Sequence, residues 1–177
     1  MSKKKKEIVL DKIDECEALA ILRILAKDKE LAGKIEEIAT ERLSEVDIED
    51  VAHDVFSDLD GIDVEDVWKN SGGTRYGYVD PNELAWEMFE EALEPFVKKL
   101  KDYEELSMQA EAKRYCMGIL KGIHQFDKES SSEYSDWVED APGESFEEIL
   151  GDWKKRCKNK KDIKEMDSFV KENFPEW

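Results

Sequence analysis

Apolar positions recur at helical spacing along almost the whole chain. From Asp14, the residues Ala18, Leu19, Leu22, Leu25 and Ala26 form one stripe, widened by Ile21 and Ile24; after Asp28 a second runs through Leu31, Ile35, Ile38, Ala39 and Leu43. These two helices are expected to pair as a hairpin. A short echo follows, Asp47-Ile48-Glu49-Asp50-Val51 and then Asp63-Val64-Glu65-Asp66-Val67. Each copy places an aspartate where its carboxylate accepts from the open backbone N–H groups of a helix start, with more acids against the positive end of the helix dipole. The echo predicts two further helix starts. It is too short for a solenoid, which repeats several copies at a fixed period.

Residues 70–80 break the helical pattern, with Gly72, Gly73 and Gly77 permitting positive φ and Tyr76 and Tyr78 giving the loop bulk. Asp80, Pro81 and Glu83 restart a helix whose buried face is Leu84, Trp86, Phe89, Leu93, Phe96, Val97 and Leu100. Pro95 lies inside that pattern and predicts a kink, or a second helix from Glu94. A helix over about Tyr103 to Phe126 follows, in which Gly118 and Gly122 sit one turn apart. Glycine in mid-helix costs roughly 1 kcal/mol against alanine, so a close-packed neighbour is the expected reason for both. Asp127 to Asp152 reads as a long acidic connection pinned by Tyr134, Trp137 and Val138. Ser145 with Glu148 predicts a capping box for a helix from Phe146 to about Cys157, and a last helix spans about Asp162 to Asn173.

The resulting fold class is all-α, with antiparallel helix pairs in an irregular bundle or a short TPR-like array of seven to nine helices and almost no strand. The organisation read from the pattern is a disordered basic tail over 1–10, a main helical domain over 11–126, the connection over 127–145, and C-terminal helices over 146–177 packed on the main domain.

Charge changes this picture next. The 177 residues carry 27 Lys plus Arg against 45 Asp plus Glu, a formal −18, while 40% of residues remain hydrophobic, enough to close a core. So acidic a chain argues against direct nucleic-acid binding and against anionic membrane surfaces, both of which are held by Lys and Arg clusters. No apolar run reaches the ~18 residues of a membrane span, and Asp11 cuts short any signal-like segment after Lys3 to Lys6. A cytoplasmic protein is the expectation, with Cys16, Cys116 and Cys157 reduced. Charge is also segregated: Glu36 to Asp66 holds thirteen acids and only Arg42, whereas Lys154 to Lys164 holds seven bases and one acid. The expectation is that one stretch folds back on the other.

Complete catalytic or metal-binding constellations are missing. Aligning Gly61 to the glycine of an EF-hand loop puts Phe56 and Val67 at the two ends of the cage, where oxygen ligands are required. His53-Asp54 is a doublet of the kind used by metal-dependent phosphohydrolases, which need an earlier histidine, and none precedes it. Cys116 and His124 are about 12 Å apart along one helix, too far for a nucleophile and its base, and are expected in the core. Neither cofactor nor metal is expected. The candidate ligand-binding site is the loop of Gly72, Gly73, Arg75, Tyr76, Tyr78 and Asp80, where a planar guanidinium in acidic surroundings suits a carboxylate or phosphate; the alternative is that Arg75 ties helix-start acids together while the tyrosines cover the core.

The strings Asp63 to Trp68, Thr74 to Val79, Ala85-Trp86, Glu91 to Phe96 and Tyr115 to Leu120 resemble a family of small all-helical proteins of archaea and bacteria, over roughly residues 47–126. The resemblance implies a prokaryotic cytosolic protein and carries over no activity, cofactor or catalytic residue. The functional expectation is therefore an interaction or regulatory module with a basic protein partner. Two other readings stand beside it: a ligand-binding protein or enzyme using the Arg75 loop, and a nucleic-acid mimic built from the acids of Glu36 to Asp66.

Overall fold

Aspartates open most of the helices. In the computed structural model, which describes residues 12–75 and 77–177, α1 (Glu15–Leu25) starts at Asp14, whose carboxylate accepts from Glu17 N at 2.8 Å while Glu17 reaches back to Asp14 N at 3.1 Å. Asp28 opens α2 (Lys29–Ser44), Asp47 opens α3 (Ile48–Asp60) and Asp63 opens α4 (Val64–Asn70), each accepting from backbone N–H groups of the first turn. Both copies of the acidic echo are helix starts, as the pattern predicts. The expected tail over 1–10 and Tyr76 lie outside the described residues.

The chain divides into two compact units, 1–45 and 46–177. In the first unit α1 and α2 form the expected hairpin. Its apolar stripes, however, are not buried: neither helix has a buried residue, and Leu19, Ile21, Leu22, Ile24, Leu25, Leu31 and Ile38 are all exposed.

The second unit is a helical bundle around α6 (Gln109–Glu129), which packs against α3, α5 (Pro81–Glu105), α7 (Ala141–Arg156) and α8 (Lys160–Asn173). With these, eight α-helices are described. The glycine expectation holds in detail. A Cβ on Gly118 would lie 2.6 Å from Val51 Cβ, and one on Gly122 would lie 2.6 Å from both Ala52 O and Val55 Cβ. Two hydrogen side chains therefore let α3 lie directly on α6, and Val55, Leu59, Ile119, Leu120 and Ile123 close the seam. Phe126 continues it, its ring 5.6 Å from Phe89 of α5.

Three local expectations are corrected. Pro95 does not split α5, which runs unbroken; Pro95 and Glu91 are both exposed, so water can serve the Glu91 carbonyl that loses its N–H partner. Tyr103 belongs to α5, not to the next helix. A tight reversal separates them, with Ser107 at φ 61, Met108 N donating to Tyr103 O at 2.9 Å and Ser107 N to Glu104 O at 3.0 Å. This is the usual glycine C-terminal motif made with serine. The helix expected from Phe146 begins at Ala141, with Pro142 in its first turn, where its missing N–H costs nothing, and Ser145 is buried inside rather than capping. Strand content is small, as expected: β1 (Gly72–Thr74) and β2 (Gly77–Val79) pair antiparallel.

The acidic connection is pinned as expected. A 3₁₀ turn over Glu133–Trp137 buries Tyr134 completely, and its hydroxyl donates to the carbonyl of Ala85 in α5. Trp137 meets Trp68 edge-on at 4.8 Å.

Candidate functional site

The loop that carries the sequence-predicted site is a β-hairpin. Gly72 at φ 88, at the base of the hairpin, and Gly77 at φ 142, where the chain leaves the reversal, adopt backbone that side chains disfavour. Gly73, Arg75 and Tyr78 are exposed, Tyr78 at 72%, so Tyr78 covers no core. Asp80 is half-exposed and caps α5, accepting from Asn82 N at 2.9 Å and Glu83 N at 3.4 Å. The structure thus presents Arg75 and Tyr78 outward on a short ribbon and assigns Asp80 to the helix start.

The other marked residues have structural work. Asp60 accepts from Ser130 Oγ at 2.6 Å, Asp63 caps α4, and Gly61 ends α3 at an ordinary φ of −79. Among the described residues no group of three or more His, Cys, Asp and Glu side chains could hold a metal ion. Cys116 is buried, and burial pushes its thiol well above the ordinary range, away from thiolate reactivity. His124 is half-buried rather than core, its ring 4.7 Å from that of Phe174 and 5.2 Å from that of Trp177. Burial, then the nearby Lys128, holds its imidazole below the ordinary value.

Within residues 46–177, no ion pair among the described residues joins the acids of 47–66 to the bases of 154–164, contrary to the expectation that one stretch folds back on the other. Arg156 pairs with Glu104 at 2.6 Å, Lys154 with Asp167 at 2.5 Å and Lys155 with Asp152 at 2.9 Å. Of the acids between Asp47 and Asp66, Glu49 pairs with Lys121 at 2.6 Å, and Glu65 and Asp66 with Lys69 at 3.5 and 3.2 Å.

A second site was not picked out by the sequence. Helix α5 presents Glu90, Glu94, Val97 and Lys101 along one face, and α7 presents Ser145, Glu148, Ile149, Asp152 and Arg156 along another, each at three- to four-residue spacing. Between them lies a groove of about 280 Å³ with Leu93, Val97, Leu100 and Ile149 as its apolar floor. Four carboxylates rim it. Glu90 also accepts from Trp86 Nε1 at 3.2 Å, and a hydrogen bond from Lys155, with that cation's charge, keeps Asp152 below its ordinary value and so ionised at neutral pH. At one end Lys101 and Arg156 close the rim, and a second depression sharing those two residues continues along α5 past Glu104 and Glu105. The signal in the sequence was the pair Glu90 and Glu94 beside the Leu93 and Val97 stripe, but the facing wall comes from a helix some fifty residues later.

Fold and site together define an all-α helical bundle with an acidic, apolar-floored groove; no helix among the described residues is long and apolar enough to cross a membrane. Comparison with protein-family models, with curated proteins and with solved structures finds no match.

Proposed function

We propose that this protein is a prokaryotic cytoplasmic interaction module whose groove between α5 and α7 receives a basic amphipathic helix of a partner protein. The observation that carries the reading is the chemistry of the groove: apolar Leu93, Val97, Leu100 and Ile149 below, with Glu90, Glu94, Glu148 and Asp152 above. A helix with one apolar stripe flanked by lysines or arginines buries the stripe and places its cations on the rim. The lining of α5 from Glu90 to Lys101 spans about 16 Å at roughly 1.5 Å per residue, room for about three helical turns. The charge of the whole chain adds attraction at a distance and speeds encounter with a basic partner.

Nucleic-acid mimicry is less well supported, because Asp47 and Asp63 cap helices while Glu49, Glu65 and Asp66 pair with lysines. The Arg75 ribbon supports a second reading as an anion contact, favoured by its outward presentation between two positive-φ glycines. A thermal-shift series with phosphate and carboxylate probes tests that reading, and any hit should be lost in Arg75→Lys, which keeps the charge but not the planar fork.

The groove reading is tested with a fluorescent model peptide of alternating leucine and lysine turns. Wild-type protein should bind it with an affinity that falls as salt rises, a glutamate-for-lysine version should not bind, and Glu94→Lys with Glu148→Lys should weaken binding at least tenfold. Equal binding by the double variant would overturn the assignment of the groove.

A further inference from the structure

The N-terminal hairpin has a composition and an exposure unlike the rest of the molecule. Residues 1–45 hold ten bases and eleven acids, a formal −1, whereas residues 46–177 hold seventeen and thirty-four, a formal −17. Nearly all the net charge thus sits outside the hairpin. Yet no described residue of α1 or α2 is buried, and Ile24 and Ile38 are 64% and 60% exposed. Two short helices without a core gain little from propensity alone and need something to cover their apolar faces.

We infer that the hairpin is a homodimerisation element, covered by the same hairpin of a second copy in antiparallel fashion. Area supports this choice. The seven large apolar side chains left exposed on α1 and α2 present on the order of 600 Å² per chain, so a symmetric pair could cover up to about 1,200 Å² of them, which reaches the lower end of a stable specific interface.

Charge placement selects the second copy and its direction. At the turn end, Arg23 to Lys34 contains four bases and two acids. At the open end, Asp14, Glu15 and Glu17 of the α1 start and Glu36, Glu37, Glu41 and Glu45 outnumber Lys12 and Arg42, and the four lysines and two acids of residues 1–11, which precede that end in sequence, leave it acidic. The hairpin is therefore polarised along its length. Two copies related by a two-fold axis across the helices set each acidic end against a basic turn end, while a parallel pair sets like against like. Residues 1–45, brought to a formal −1 by Lys3 to Lys6 and Lys12, also let two copies meet with less mutual repulsion than residues 46–177 carry.

Sedimentation equilibrium of the full chain tests this. Wild type should have twice the 20.6 kDa chain mass at micromolar concentration and above. Ile24→Glu with Ile38→Glu, two changes at exposed positions that leave the circular dichroism of a folded helical chain, should raise the dissociation constant at least a hundredfold and give the single-chain mass. A wild type that stays at the single-chain mass up to near-millimolar concentration overturns the inference, whether the face is bare or covered from within the chain. A dimer that survives the double change overturns the hairpin as its seat. The inference is independent of the groove, since neither variant touches α5 or α7.

Discussion

The α1–α2 hairpin and the α3–α6 seam are both built from apolar stripes at helical spacing, with aspartate caps on α1, α2 and α3, and end in opposite states. In the seam, Val55, Leu59, Ile119, Leu120 and Ile123 are wholly buried; in the hairpin, Leu22 and Ile24 stay open to solvent. Periodicity specifies a helix and one sticky face, but not what lies against that face. The difference lies in Gly118 and Gly122, which remove two side chains where α3 must pass. The hairpin has a glycine too, Gly33, yet a Cβ there would meet nothing within 4 Å.

The largest expected effect tests the buried side of this comparison. Phe126→Ala removes a ring shared between Phe89 and Tyr134 and should cost about 3–5 kcal/mol in urea unfolding. Next comes the glycine pair. Gly122→Ala forces a methyl group onto the Ala52 carbonyl and Val55 and should destabilise by about 1–3 kcal/mol, even after alanine's better helix propensity. Gly33→Ala should do the reverse, stabilising the hairpin by up to ~1 kcal/mol and raising its helical signal. Equal effects at the two glycines would break the comparison.

A smaller gain is expected at Ser107. Its φ of 61 suits glycine, so Ser107→Gly should stabilise by about 0.5–1 kcal/mol, seen as a raised denaturation midpoint with an unchanged slope. The smallest effect follows pH. His124 is held below its ordinary value of 6.5 by burial and by Lys128, so the unfolded chain takes up a proton more readily than the folded one. Its contribution is present above pH 6.5 and is lost as pH falls through the lowered folded value. The melting temperature should therefore drop slightly on acidification below pH 6.5, and His124→Gln should remove that part of the slope.

Much of the local structure was legible because it is written in side chains that act on their own backbone. Asp14, Asp28, Asp47, Asp63 and Asp80 each open the helix that the sequence assigns to them, and Gly118 with Gly122 marks a close approach. What was not legible needed a second element or a backbone choice. The Leu106 to Met108 reversal uses serine where glycine is the usual marker, so the break after Glu105 was read a few residues early, before Tyr103. Asp140 makes no side-chain cap bond, which let Pro142-Gly143 read as a loop instead of a first helical turn. For the candidate sites, the glycines correctly marked a special loop at Arg75, but the direction it faces depended on the β1–β2 pairing. The α5–α7 groove exists only once two distant helices are set side by side.

The central claim is that this groove is a docking site for a basic amphipathic helix. Chemical-shift mapping of the full chain on titration with the leucine–lysine peptide tests it most directly. The account predicts shifts concentrated at Leu93, Val97, Leu100 and Ile149 and at the backbone of Glu94 and Glu148. Shifts confined to the Arg75 ribbon, or scattered over the acidic surface with none on the apolar floor, would contradict it.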